Sequence, residues 1–250
     1  MKYRDLIFDL YGTLVDIHTE ESADVWEKTA IFFGFYGAKY TGNELKAGFL
    51  DAMKARQIAA GQSYECFPDI PFELVMTQMF RAKGIEVEAD DLGFRAAQLF
   101  RISSMEYIRM YSGAMRALET LRKRGHRLWL LSNAQRAFTA YELRHLGLDD
   151  QFDAIYISSD YGCCKPDSRF LGALLREQGL DAENCIMIGN DRDTDIAGAK
   201  VMGLATLYMH TNITPPGQAK ANPVLHPSVC DGPHWEYEGS DWEKLVELIP

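Results

Sequence analysis

The hydrophobic pattern changes character three times along the chain. It opens on Leu6-Ile7-Phe8, an apolar run with no period, which ends in Asp9 and continues as Leu10-Tyr11-Gly12-Thr13-Leu14. A strand covered on both faces need not alternate, so the run reads as a buried strand closed by a tight turn. A carboxylate at the end of a buried strand is costly unless it is paired, hydrogen-bonded or used. Taken alone, Asp9 reads as a turn cap.

From residue 16 to 111 the spacing becomes helical. Thr19-Glu20-Glu21-Ser22 opens an amphipathic run through Val25, Trp26, Thr29, Ile31 and Phe32-Phe33 that stops near Gly34. Thr41-Gly42-Asn43-Glu44 starts a second, with Leu45, Phe49, Met53 and Ile58 inside it. Pro71 begins a third, carrying Leu74, Val75, Met76 and Met79-Phe80 to Gly84. Asp90-Asp91 starts a fourth, through Phe94, Ala97, Leu99, Ile102 and Ile108. Four helices with no evident strand make a helical unit of their own, whose aromatic and methionine spacing reads as core.

After Ser112 helices and apolar runs alternate. Gly113 to Lys123 is a helix and Arg127 to Leu131 a strand ending at Ser132-Asn133; Ala134 to Leu146 is a helix and Phe152 to Ile157 a strand. Pro166 to Gln178, Cys185 to Ile188, Thr194 to Met202 and Ala205 to Met209 repeat the alternation. Such a series predicts an α/β fold, a Rossmann-like doubly wound parallel sheet with helices on both faces. The opening strand belongs to it. The expected organisation is a core of residues 1–15 and 112–250, interrupted by a four-helix domain over 16–111. Pro215-Pro216, Pro223 and Pro227 mark Thr211 to Gly232 as an irregular loop, and Asp241 to Ile249 closes the chain as a helix.

Composition narrows the partners. Of 250 residues 47% are hydrophobic, enough for a sizeable core, and the net charge of −10 would repel nucleic acid and anionic membranes. No apolar run approaches the roughly 18 residues of a spanning helix, and with Arg4-Asp5 so near the start no signal peptide is expected. Five cysteines (Cys66, Cys163, Cys164, Cys185, Cys230) include no Cys-x-x-Cys pair and read as reduced thiols of a cytoplasmic protein. A small-molecule substrate remains the expected partner.

In a parallel α/β sheet, ligands sit beyond the carboxyl ends of the strands. Those ends carry Asp9 and Thr13, Ser132 and Asn133, Lys165 just before the third helix, and Gly189-Asn190-Asp191-Arg192-Asp193-Thr194-Asp195. Singly each is a turn or cap residue; together they mark one edge. In order and spacing they resemble the four motifs of the haloacid dehalogenase-like hydrolase superfamily, with Phe8 to Leu14 as the first, Leu131-Ser132-Asn133 the second, Lys165-Pro166 the third, and Gly189 to Asp195 with Ile196-Ala197-Gly198-Ala199 the fourth. The resemblance covers essentially the whole chain. It implies a helical cap closing over the core, and hydrolysis through a covalent intermediate on Asp9. It also implies substrate oxygens held by Ser132, Lys165 and the backbone after Asp9, including Tyr11 and Gly12. Asp191 and Asp195 would share a cation with Asp9. Two carboxylates about 4 Å apart repel by roughly 4 kcal/mol at an effective dielectric near 20, and oxygen-only ligands favour Mg²⁺.

Two departures pull in opposite directions, one from the phosphatase pattern and one from the dehalogenase pattern. Tyr11 stands where the superfamily's phosphatases usually carry a second Asp, the general acid whose loss typically costs about 10²–10⁴ in rate. Asp-x-Tyr-Gly-Thr is the form of the 2-haloacid dehalogenases, whose halide needs no proton, and Lys165-Pro166-Asp167-Ser168-Arg169 is similar to theirs. The fourth motif answers with the acidic form of the metal-dependent phosphatases, Asp191, Asp193 and Asp195. There Tyr11 would lend a metal only its carbonyl, Asp191 is the expected ligand with Asn190 sharing the role, and Asp193 is solvated or caps the next helix. Leu171 replaces the aromatic that dehalogenases place six residues after the lysine, and only Arg56 lies roughly where their cap arginine does. Near the start of the helical unit, His18, Glu20 and Trp26 read as structural. The expectation is a Mg²⁺-dependent phosphatase acting on a small phosphorylated metabolite. A metal-independent 2-haloacid dehalogenase and a catalytically weak binding protein of the same fold are the alternatives.

Overall fold

The computed structural model describes residues 2–59, 67–87, 89–213 and 234–249. Its centre is strand β1 (Asp5–Phe8), every residue of which is buried. The chain then makes strand β2 (Val15–Thr19) and four helices, α1 (Ala23–Phe35), α2 (Gly42–Ala59), α3 (Phe72–Ala82) and α4 (Phe94–Ser104). Strand β3 (Met105–Met110) returns antiparallel to β2. The remainder alternates: α5 (Ala114–Lys123), β4 (Arg127–Ser132), α6 (Arg136–His145), β5 (Ala154–Ile157), the short α7 (Ser158–Tyr161), α8 (Ser168–Gln178), β6 (Cys185–Gly189), α9 (Ala197–Val201), β7 (Ala205–His210), β8 (His234–Glu238) and α10 (Trp242–Leu248).

Six strands form one parallel sheet in the order β5-β4-β1-β6-β7-β8. The expected α/β architecture is therefore present. From β1 the chain goes to β4 and β5 on one side, then crosses to β6, β7 and β8 on the other. The crevice of such a sheet opens where the winding reverses, at the carboxyl end of β1. Successive side chains of β1 point to opposite faces: Leu6 and Phe8 join one buried cluster with Leu130, Ile188 and Trp242, while Ile7 joins the other with Trp129, Leu131 and Phe170.

Helices α1 to α4 have a separate apolar centre. Phe33 stacks on Phe80 with ring centroids 3.9 Å apart, and Trp26 packs on Phe100 at 4.7 Å. Such ring pairs contribute about 0.5–1.5 kcal/mol each beyond their buried area.

Several expected boundaries are corrected. The stretch between the first strand and Ser112 does contain strands: β2 and β3 pair as a ribbon at its two ends, and Ile108 lies on β3 rather than on a fourth helix. Helix α4 stops at Ser104, whose carbonyl accepts from the amide of Glu20 across the ribbon. The ribbon is exposed along much of its length, so β3 shows no clean alternation to read. Helix α1 begins after Ser22, whose Oγ accepts from Val25 N, so Thr19 belongs to β2. Helix α8 begins after Asp167, which caps it, and not at Pro166. The edge strand β8 has no counterpart among the expected elements. Of the expected irregular loop, 214–232 lies outside the described residues, as do Cys66 and Cys230; among the described residues Cys163, Cys164 and Cys185 form no disulfide. Among the described residues no helix is long and apolar enough to cross a membrane.

Candidate active site

Strand β1 carries a buried carboxylate at each end, and their partners differ. Asp5, at the amino end, receives Arg127 Nε and Nη2 at 2.6 and 2.8 Å and Trp129 Nε1 at 2.9 Å. It is matched by a guanidinium and needs nothing else. Asp9, at the carboxyl end, continues the sheet through its amide to Ile188 O at 2.9 Å, and its side chain turns into the crevice. Lys165 Nζ donates to Asp9 Oδ1 at 2.7 Å and Thr13 Oγ1 donates to Oδ2 at 3.2 Å.

Lys165 is itself 5% exposed and lies between two carboxylates, with Asp195 Oδ1 also at 2.7 Å and Leu131 O at 2.8 Å. Asn133 fixes its backbone, donating to Lys165 O at 3.0 Å and accepting from Lys165 N at 2.7 Å. Burial works against the ammonium, but Asp195 and Asp9 outweigh it and hold its pKa above the ordinary lysine value. For Asp195 burial acts the other way. Loss of solvent, reinforced by the charge of Asp9, pushes its carboxyl up to about 7 even with Lys165 beside it. Two carboxylates around one ammonium leave a surplus of negative charge in the crevice.

Two glycines allow the close approach. A Cβ on Gly189 would lie 2.2 Å from Asp195 Oδ2, and Gly12 sits at φ +87° with the amide of Asn190 where a Cβ would be. Gly12 O accepts from Thr211 Oγ1 at 2.7 Å and Thr13 O from Trp242 Nε1 at 3.0 Å, so the turn after β1 is held from the end of β7 and from α10. Gly189→Ala is expected to lower stability by about 1–3 kcal/mol through overpacking against Asp195. Urea unfolding measures this, and an unchanged midpoint would refute the close packing.

The cavity at this edge, of about 220 Å³, is lined by Asp9, Tyr11, Asn133, Lys165, Asn190, Asp191 and Asp195, with Thr194 and Ile213. Ser132 ends β4 fully buried; its Oγ has no hydrogen-bond partner among the described residues, and it does not line this cavity. In the fourth motif the two candidate ligands separate. Asp191 Oδ1 accepts from the amides of Asp193 and Thr194, so the capping expected of Asp193 is done by Asp191. Asn190 Oδ1 instead lies 3.3 Å from Thr13 Oγ1, beside Asp9. Among the described residues no three His, Cys, Asp or Glu side chains are arranged as a metal-holding group, and Asp9 and Asp195 both pair with Lys165. The donor chemistry nonetheless fits a hard dication: all side-chain donors are oxygens, and the crevice carries surplus negative charge.

Tyr11 faces away from Asp9's carboxylate. Its hydroxyl donates to Glu142 and lies 3.0 Å from Thr139 Oγ1, both on α6, and Arg101 of α4 lies over its ring at 5.3 Å. Burial, then the charge of Glu142, raises the phenol pKa far above its ordinary value. The phenol is thus a fixed structural donor, remote in role from a proton shuttle.

The remaining expectations sort by place. Arg56 bonds Gln78 at 3.1 Å and lines neither the site nor the cavity beside it; the arginine that α4 brings there is Arg101, which the sequence reading missed. His18 stacks on Tyr107 in the ribbon, Trp26 is in the helical core, and Leu171 is buried against the sheet. Thr211, Trp242, Arg101 and Glu142 carry no motif. Their roles come from contacts made across 41 to 229 residues of chain.

The model of the haloacid dehalogenase-like hydrolase family matches residues 4–203. The chain is 32% identical to a 5'-nucleotidase of Pseudomonas aeruginosa over 127 residues, 51% of this chain and 57% of that protein. It is 34% identical to a phosphoglycolate phosphatase of Mesorhizobium japonicum over 106 residues, 42% and 46% of the two chains. The matched stretches thus span about half the length of these curated relatives. Among solved structures, the HAD-hydrolase YfnB of Bacillus subtilis, bound to magnesium, is similar over 99% of each chain at 21% identity and a TM-score of 0.55. A dehalogenase solved with an intermediate complex is similar at 19% identity and a TM-score of 0.56, covering 99% of this chain and 97% of that one. At these identities the two structures show a shared fold.

Proposed function

The chain belongs to the haloacid dehalogenase-like hydrolases, and from that premise we propose that it hydrolyses phosphate monoesters of small metabolites through a covalent intermediate on Asp9. One observation carries this reading: a buried carboxylate at the carboxyl end of the central strand, held by Lys165 at 2.7 Å and Thr13 at 3.2 Å and opening on a cavity of about 220 Å³. The curated relatives named above, a nucleotidase and a phosphatase, support the phosphate ester as substrate.

Asp9 attacks phosphorus, the bond to the leaving oxygen breaks as that oxygen takes a proton from solvent, and water then cleaves the acyl phosphate so formed to inorganic phosphate and free Asp9. Thr13 and Lys165 orient the attacking carboxylate, and the ammonium offsets charge as it develops on the phosphoryl oxygens. Ser132, whose buried hydroxyl lacks a protein partner among the described residues, and the amides of Leu10 and Tyr11, which donate none of the turn's own bonds, are the further donors for those oxygens. Asp9, Asp195, the Tyr11 carbonyl and Asn190 would hold Mg²⁺, which supplies positive charge to the phosphoryl group when bound. Asn190 takes the place expected of Asp191 because Asp191 caps its own turn. Residues 16–111 act as the cap and residues 1–15 with 112–250 as the core. The separate apolar centre of α1 to α4, entered and left through the β2–β3 ribbon, supports that division.

Tyr11 keeps the dehalogenase reading open, since its phenol is committed to Glu142 and gives the leaving group no proton. Release of phosphate and of halide separates the two. With a panel of phosphate monoesters and 2-chloropropionate, each with Mg²⁺ and with chelator, phosphate release that chelation stops is expected. Halide release in chelator would overturn the phosphatase reading.

A further inference from the structure

Beside the crevice lies a second cavity of about 380 Å³, which shares Tyr11 and Asn133 with it. An ester whose phosphorus meets Asp9 would place its leaving group there, so a role for this cavity in substrate choice rests on the phosphatase reading. Cavities of this size commonly enclose a small organic group. Four rings supply its apolar wall: Tyr11, Phe72, Phe100 and Phe138. Its acidic groups are Glu21, exposed at the rim, and Asp69, which accepts from Gln135 Nε2 at 2.7 Å and from Ser158.

Arg101 is the one cationic side chain among the described lining residues, and its charge is already matched. Its Nε and a terminal nitrogen donate to the two oxygens of Glu142 at 2.6 and 3.0 Å, with the arginine 16% and the glutamate 7% exposed. The guanidinium is also held flat against rings, 4.7 Å from the Phe138 centroid and 5.3 Å from that of Tyr11. A bidentate, stacked and buried pair of this kind is a poor anchor for a further anion. With Arg101 matched, the cavity presents aromatic faces and uncompensated carboxylates.

We propose that Glu142 sets the substrate class of this cavity: by matching Arg101, it makes the enzyme select phosphomonoesters whose leaving alcohol is aromatic and uncharged, such as a nucleoside, and reject those bearing a second anionic group. Glu142 acts through Arg101 and is a positioning residue.

Three probes test it: uridine 5'-monophosphate, phosphoglycolate and, as a control for the chemistry at Asp9, 4-nitrophenyl phosphate, whose leaving group bears no second anion and departs without a proton. The wild-type protein is expected to favour the nucleotide over phosphoglycolate by about 100-fold or more in kcat/KM. In Glu142→Gln the freed guanidinium is expected to cut that ratio at least tenfold, through a lower KM for phosphoglycolate. Mere loosening of the fold would shift all three substrates together. Glu142→Asp, which keeps the charge but shortens its reach to Arg101, is expected to lower the ratio in the same way but less; it decides the matter if Glu142→Gln does not fold. A wild-type preference for phosphoglycolate, or a ratio within twofold of wild type in the folded variants, would overturn the proposal. Failure to hydrolyse even 4-nitrophenyl phosphate would overturn the phosphatase reading, and this proposal with it.

Discussion

Asp9→Asn is expected to abolish turnover, by about 10⁴-fold or more, with the fold intact. That corresponds to roughly 5 kcal/mol of barrier. The amide keeps the shape of the carboxylate and an oxygen to accept from Lys165 or Thr13, so the turn after β1 has no reason to move. Lys165 also keeps its ion pair with Asp195. What is lost is the proposed nucleophile, and no neighbouring group can replace it: Thr13 is tied to Asp9 and Asn190, and Asp195 is held by Lys165 and the amide of Asp191. Steady-state phosphate release on the best substrate, alongside an unfolding curve, gives the answer. Residual activity above a hundredth of wild type would remove Asp9 from the chemistry.

Lys165→Met is the second large effect, and it acts on stability as well as rate. Removing the ammonium leaves Asp9 and Asp195 buried, close to each other and uncompensated. Removing one partner of a buried ion pair typically costs about 3–5 kcal/mol. Urea unfolding should show a loss of this order. In the double variant Lys165→Met/Asp195→Asn one of the stranded charges is gone, so much of the stability should return while hydrolysis stays absent. Millimolar Mg²⁺ should raise the melting temperature of Lys165→Met more than that of the double variant, because a ligand bound only by the folded state stabilises it. Absence of both the stability loss and the metal response would refute the charge surplus at this edge.

The parts of this protein that are legible in the sequence share one physical property. Buried strands and the helices packed on them are written locally, as apolar runs and as 3.6-residue spacing, so β1, β4, β6 and β7 can be read from Leu6 to Met209. Elements with little burial are illegible for the same reason. Strand β3 alternates poorly because much of it faces solvent, and the edge strand β8 has only one neighbour to bury it. Caps shift several boundaries: Ser22, Asp167 and Asp191 each stand just outside the helix or turn that the periodicity places one to three residues differently.

The candidate site divides in the same way. Local pattern alone dictates which residue types collect at one edge, since a parallel sheet must bring the segments of Asp9, Asn133, Lys165 and Asn190 together whatever else the chain does. Where each polar atom points is settled by long-range packing. It turned Asp191 onto its own turn and Asn190 toward Thr13, and it turned Tyr11 onto Glu142 and Arg101 toward that same glutamate. Those choices rest on hydrogen bonds between groups far apart in the chain, where burial forces every donor and charge to find a partner. Spacing along a sequence carries no record of which partner that will be.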